Sequence, residues 1–408
     1  MTTATRSRQP APRTRAGVLA EALARPLADY YLVLVPTILL LGIGVLMVLS
    51  SSSLYSESLG QGPYAIALKQ LAFLIVGIPL AWWLSRRDER SLKSLSWVAM
   101  GGALLLLMLV LTPLGLDVKG NRAWLRLGPL QLQPSEFSKL ALVMFFAQVM
   151  SAKRRHLDRP KELAPALVGF VLVLGLILAE DDLGTAIVIG AIFFAVLWIV
   201  GVQGRLLLLL VLSACLGVAA LVISSPNRMT RIFSFLGQGN DPAASQQPES
   251  SIYALASGGW WGLGLGASRQ KWGALADGAQ NDFVFAVLGE ELGLIGVVAV
   301  LCLFAAVAWA GFRIALRVDT LYFRVLAAGC TSWLMFQGMV NIAVAMRLLP
   351  VLGVPLPFIS AGGSALVSSM MAVGLLLAAA RAEPAARRAL DQRKGIRPPR
   401  VTTVVDGR

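Results

Sequence analysis

Long apolar runs alternate with short polar connectors along the chain. Stretches of about 17–25 predominantly apolar residues match the hydrocarbon thickness of a bilayer when wound as an α-helix. Ten such runs are read, at roughly 30–51, 65–84, 95–113, 137–152, 163–180, 184–201, 206–223, 284–312, 325–345 and 365–380. The fourth and tenth are short, and the eighth is long enough to begin outside the bilayer. The expected fold class is all-α, a polytopic membrane protein with a ten-helix membrane domain over 30–380 and tails at 1–29 and 381–408. Two connectors stand out. One covers about 114–136. The other, between spans 7 and 8, covers about 224–283, well beyond ordinary connection lengths. Its middle, "GQGNDPAASQQPESS", predicts a flexible stretch, whereas "YALASGGWWGLGLGASRQKWG" predicts an amphipathic segment at the membrane surface anchored by Trp260 and Trp261.

Composition agrees with the pattern: 57% of the 408 residues are hydrophobic and only 14% charged, too few charges to clothe a soluble core of this size. No short apolar run with a small-residue cleavage site opens the chain, so a removable signal peptide is not expected. Cys215, Cys302 and Cys330 are scattered through apolar segments, which argues against a disulfide framework or a metal site. The single histidine, His156, sits in the basic stretch "KRRHLDRPK", so acid–base chemistry falls to Asp, Glu, Lys, Arg or Tyr.

The formal charge of +14 is mostly a topology signal. An even span count puts both ends on one face, and 26 of the 36 Lys and Arg fall in the segments on that face, which makes it cytoplasmic by the positive-inside rule. Spread over six segments, this charge does not form a nucleic-acid patch. Ten cations remain on the other half: Lys69, Lys119, Arg122, Arg126, Lys139, Arg228, Arg231, Arg269, Lys271 and Arg347. Orientation does not call for them.

Acids on the same half raise the sharper question. "AQNDFVFAVLGEELG" places Asp282, Glu290 and Glu291 in or beside an apolar run, where a central charge costs about 2.5–3.5 kcal/mol even on lenient scales. On one regular helix, Glu290 lies ~80° and Glu291 ~180° around from Asp282, so the three cannot share one cavity. Asp282 is expected at a cavity mouth, and at least one glutamate between helices with a partner. Offsetting a helix macrodipole accounts for Asp282 but not for acids two turns further in. The cluster "EDDLGTA" (Glu180–Ala186) reads either as a second polar centre or as a charged turn. Glu136 and Lys139, in "QPSEFSK", read as an ion pair at helical spacing. The connector "RLLPVLGVPLPFISAGGSA" has irregular backbone that a membrane tolerates only inside protein or beside a wet cavity.

"GNRAWLRLG" with "QPSEFSK", then "EDDLGTA", "GLGLGASRQKWG", "NDFVFAVLGEELG" and "LLPVLGVPLPFISAGGS" together resemble the SEDS family (shape, elongation, division and sporulation), in order along nearly the whole membrane region. "SRQKWG" and "SAGGS" look more like its division-type members than its elongation-type ones. The resemblance implies a peptidoglycan glycosyltransferase that polymerises lipid II into β-1,4 glycan at the outer face of the cytoplasmic membrane. It implies work at the septum with a class B penicillin-binding protein transpeptidase and other division proteins. The family's essential aspartate maps onto Asp282. This chain departs from the family at Ala276 (usually Pro), Gln280 (usually His), Asp181 (usually Pro) and Ala361 (usually Tyr).

Inverting an α-linked pyrophosphate donor needs a base for the attacking hydroxyl and cations near the leaving group. Asp282 is the expected base; Lys119, Arg122, Arg269 and Lys271 are the expected pyrophosphate contacts. A divalent cation, Mg or Mn, is compatible with this chemistry, although no ligand spacing indicates one. Glu290 and Glu180 are expected in structural pairs, with Lys139 or Arg347 as candidate partners. Three rival readings stay open. A lipid II flippase would carry charge at several depths and a repeat in its two halves, and neither is seen here; an elongation-type polymerase would differ in cellular role. A non-catalytic scaffold would leave Asp282 replaceable.

Overall fold

A computed structural model describes residues 25–58, 60–118, 121–128, 130–153, 160–236, 242–273, 275 and 278–393. Thirteen α-helices dominate the described residues: α1 (Ala28–Ser58), α2 (Ala65–Ser85), α3 (Glu89–Val110), α4 (Pro134–Ala152), α5 (Ala164–Ala179), α6 (Leu183–Val200), α7 (Gly204–Ile223), α8 (Pro226–Phe235), α9 (Pro242–Ser257), α10 (Val284–Arg317), α11 (Leu321–Ala345), α12 (Gly363–Ala382) and α13 (Pro384–Arg393). Nine of them are long and apolar enough to cross a membrane, and α4, the expected fourth span, is not among these.

Parity nevertheless requires α4 to cross. Asp29, at the start of α1, bonds Arg313 and Arg317 at the end of α10, and Arg381 of α12 bonds the Ser85 carbonyl at the end of α2. The start of α1 and the end of α12 therefore share one face, here the terminal face, and nine crossings would separate them. α4 falls short of the apolar criterion because Glu136, Lys139 and Gln148 lie along it, and its burial among α3, α6, α11 and α12 makes their presence tolerable.

The opposite face is built from connectors that the hydropathy pattern left as loops. Three strands form a small antiparallel sheet, β1 (Gly115–Val118), β2 (Asn121–Leu127) and β3 (Leu130–Leu132), in the order β1-β2-β3. Ala123 and Leu125 turn inward while Arg122 and Arg126 face out, the alternation of a half-buried strand. The all-α expectation holds for the membrane domain, and this small sheet is its one addition among the described residues. Of the expected flexible stretch, residues 242–251 are wound into α9, and residues 237–241 lie outside the described residues.

Segment 259–264 is stitched into α10. At Gly293 the helix breaks (φ 68°, ψ −170°). The carbonyls of Glu290 and Glu291 accept from the N–H groups of Leu263 and Gly264, while Leu294 and Ile295 donate to the Gly259 and Trp260 carbonyls. Trp260 and Trp261 are exposed, and the Trp260 carbonyl is built into the helix break. A Cβ on Gly293 would stand 2.3 Å from the Gly262 nitrogen, and this backbone region is essentially reserved for glycine. Gly293→Ala is expected to destabilise the protein by at least about 2 kcal/mol, from strain and overpacking together. A thermal unfolding midpoint unchanged from wild type in the same detergent would contradict that.

Candidate active site

Asp282 lies in the turn that leads into α10, and its position is fixed through the main chain. The Gln280 carbonyl accepts from the Ala361 N–H at 2.8 Å. The Asn281 carbonyl accepts from Ser360 Oγ at 2.7 Å, and the Asp282 carbonyl from Asn341 Nδ2 at 3.1 Å. Asn341, one turn from the end of α11, also donates to the Val354 carbonyl at 2.9 Å. Three successive carbonyls are therefore clamped by α11 and the 346–362 connector, and the side chain they carry is half-buried. Neighbouring Gln70 of α2 secures the connector in turn, donating to the Ser360 carbonyl and accepting from the Gly362 N–H.

The Asp282 side of this clamp opens into a cavity of about 280 Å³ on the sheet face. Asn121 and Trp124 of β2, Gln133, Asp182, Arg231 of α8 and the stretch 349–353 line it with Asp282. Asp182 caps α6, accepting from the Thr185 N–H at 2.9 Å and from Gln133 Nε2 at 3.3 Å. A divalent cation would find two carboxylates here, but Asp182 is already engaged. Among the described residues no group of three or more His, Cys, Asp and Glu is placed to hold a metal.

Of the expected pyrophosphate contacts, Arg122, Arg269 and Lys271 do not line this cavity. Lys119 is outside the described residues. Arg122 turns away from the cavity, donating through Nη2 to the Thr112 carbonyl at 2.6 Å. Arg269 has an exposed side chain, and its backbone N–H donates to Glu290 Oε1 at 2.9 Å. Lys271 is 3% exposed; it pairs with Glu291 at 2.8 Å and donates to Ser50 Oγ and the Gly266 carbonyl. Lys271 therefore serves a buried network that joins α1, the long connector and α10.

The expected partners of Glu290 and Glu180 are also corrected. Glu290 is held by Ser268 Oγ and by the N–H groups of Arg269 and Gln270, not by a cation. Lys139 is committed to Glu136 at 2.7 Å and to Gln337 Oε1 at 2.7 Å, below the Trp333 ring; Arg347 reaches Glu249 of α9 at 3.6 Å. This leaves Glu180, in the turn between α5 and α6, buried with both oxygens unpaired among the described residues.

Burial, with the charge of Asp182 adding to it, pushes the Glu180 carboxyl up to about 8. The folded state thus keeps a proton that the unfolded chain releases near 4.5, so the stability this group contributes is full below that pH and is lost as pH rises toward about 8. Glu180→Gln, which mimics the protonated form, is expected to raise the unfolding midpoint at pH 8 and to change it little at pH 5. Equal shifts at both pH values would show that the group titrates normally.

Arg231 was not singled out by the sequence reading, although the Arg228–Arg231 spacing of three on a short helix was visible. Asn341 and Ser360 were not singled out, although Ser360 opens the "SAGGS" stretch; both act on backbone carbonyls.

With this geometry in view, likeness to known proteins is extensive. Residues 31–384 match the cell cycle protein family of FtsW, RodA and SpoVE. The chain is 38% identical to stage V sporulation protein E of Bacillus subtilis over 362 residues, covering 86% of this chain and 97% of that protein. It is 36% identical to the probable peptidoglycan glycosyltransferase FtsW of Mycobacterium tuberculosis, covering 93% of this chain and 72% of that one. Among solved structures, a chain of a peptidoglycan synthase complex that coordinates polymerisation and crosslinking superposes with a TM-score of 0.71 at 31% identity, over 88% of this chain and 98% of that one. Thermus thermophilus RodA gives 0.64 at 29% identity, over 89% and 99%.

Proposed function

The chain belongs to the cell cycle protein family of FtsW, RodA and SpoVE, and from that premise we propose how its sheet-face cavity works. It is a polytopic membrane enzyme, a peptidoglycan glycosyltransferase, as its FtsW relatives are named. The sheet face is the extracytoplasmic one, because the terminal face holds most of the basic residues. The substrate is lipid II, the partner a class B penicillin-binding protein transpeptidase, and the place of work the division septum with other division proteins.

One observation carries this reading: Asp282, clamped through three consecutive carbonyls, lines the same cavity as the guanidinium of Arg231. A base and a cation in one small cavity are what glycosyl transfer from a pyrophosphate requires. The hydroxyl oxygen of the acceptor sugar bonds to the anomeric carbon of the donor. The bond from that carbon to the pyrophosphate oxygen breaks, and the electron pair leaves with the pyrophosphate. Asp282 takes the hydroxyl proton, and attack from the face opposite the α-linked leaving group yields the β linkage. The pinned backbone keeps the carboxylate in register with the reacting atoms, where a displacement of 1 Å costs about a hundredfold in rate.

The test is glycan polymerisation from labelled lipid II by the protein reconstituted in liposomes with its transpeptidase partner. Polymer supports the reading. Lipid II crossing the bilayer with no polymer moves the protein to the transporters, and activity only with an elongation-type transpeptidase moves it from division to elongation.

A further inference from the structure

Three hollows on the sheet-face side run into one another, and the reaction uses only the first as described so far. Beside the Asp282 cavity lies a second of about 150 Å³, lined by Asp181, Gly184, Ser225, Arg228 and Arg231 among others. Asn121, Arg231 and Pro350–Leu352 form the wall common to both. Behind the second cavity, an apolar groove of about 1100 Å³ runs between α5, α6 and α7, and the two share Leu183, Val222 and Ile232. The groove faces lipid, since α7 buries only Leu207.

The two arginines are in different states. Arg228 donates through Nη2 to Asp181 Oδ1 at 3.0 Å and through Nη1 to the Leu221 carbonyl at 3.0 Å, so its charge is largely matched. Arg231 is exposed, and its one side-chain hydrogen bond among the described residues is a long one, Nη1 to the Val351 carbonyl at 3.4 Å. A guanidinium has five N–H donors in a fork that suits phosphate oxygens. The Arg231 fork is mostly unspent, and it stands where the two cavities meet.

We propose that Arg231, with Arg228 behind it, holds the pyrophosphate of a polyprenyl-linked donor in the second cavity, its tail lying in the α5–α7 groove and its sugar reaching the Asp282 cavity. This rests on the glycosyltransferase reading and replaces the cations expected from sequence. Among the described residues, Arg228 and Arg231 are the cations lining these cavities. Negative charge develops on the leaving pyrophosphate, so a donor placed anywhere else along this path would depart without a counter-charge.

Binding of fluorescent undecaprenyl pyrophosphate to the full-length protein in nanodiscs tests the assignment, with undecaprenyl monophosphate as comparison. Charge-assisted hydrogen bonds of this kind correspond to a loss of about tenfold or more. Arg231→Ala is expected to weaken the pyrophosphate lipid by that factor and the monophosphate lipid much less. Arg231→Lys should recover part of the loss. Arg126→Ala, which removes an exposed cation off the path, should change neither. Because Arg231 is exposed, its variants are expected to keep the wild-type unfolding midpoint. Pyrophosphate binding by Arg231→Ala within twofold of wild type overturns the proposal, as does a wild type that does not prefer the pyrophosphate lipid. If Arg231-dependent binding is found but no polymer forms with the partner present, the glycosyltransferase reading fails while the site stands. Polymer from wild type with Arg231-independent binding gives the reverse.

Discussion

Asp282→Asn abolishes lipid II polymerisation while the protein stays folded: this is the expected result for the variant with the greatest effect on activity. The exchange keeps the size and shape of the side chain and leaves the hydrogen bonds at the carbonyls of Gln280, Asn281 and Asp282 intact, because those are main-chain acceptors. What it removes is the proton acceptor. General-base catalysis contributes about 10²–10⁴-fold, so turnover should fall by at least about a hundredfold with an unchanged unfolding midpoint. Asp282→Glu keeps a base but moves it by a methylene, and an intermediate rate is expected. The measurement is glycan length and amount from labelled lipid II with the transpeptidase partner present. Wild-type amounts of polymer from a folded Asp282→Asn protein would remove Asp282 from the chemistry.

A second large effect is expected on stability. Glu291 accepts from Ser50 Oγ at 2.6 and 2.8 Å and pairs with Lys271 at 2.8 Å, with both charged side chains almost wholly buried. Removing one partner of such a pair strands the other charge away from water, at a cost of about 3–5 kcal/mol. Lys271→Met and Glu291→Gln are each expected to destabilise by that order. The double variant should recover much of the loss, since a neutral pair strands nothing. Unfolding of all four proteins in one detergent gives the coupling; strictly additive losses, within about 0.5 kcal/mol, would show that the two side chains do not depend on each other. The network joins α1 to the start of α10, so the single variants should also blunt turnover by loosening the backbone ahead of Asp282.

The fold was largely readable from hydropathy because lipid-facing helices such as α5, α6 and α7 have to be apolar nearly all round. The pattern weakened where helices stopped facing lipid. α4 begins at Pro134, three residues before the apolar run, because Ser135, Glu136 and Ser138 are surrounded by protein and need not be apolar. The sheet was missed although "RAWLRL" alternates, since a seven-residue strand gives a faint signal beside twenty-residue spans. That Asp282 lies at a cavity was readable from its place ahead of an apolar run. Which cations share that cavity was not. Lys271 and Glu291 are twenty residues apart in sequence and touch only because 259–264 is threaded through the break at Gly293. Arg231 looked like one of ten surplus charges until α8 was seen to carry it to the wall between two cavities.

The charged centre of α4 bears on how the chain is made as well as how it stands. Lys139 is solvated by Gln337 of α11 and Glu136 by Ser368 of α12, both translated some two hundred residues later. When α4 leaves the ribosome, neither helper exists. The lysine and glutamate three residues apart on the same helix can neutralise one another in the meantime, which makes Glu136 a travelling companion for Lys139 during insertion. α4 is thus a guest in the bilayer until the last third of the chain arrives to enclose it, and quality control acting on this protein would meet its exposed polar face in every copy that stalls before α12.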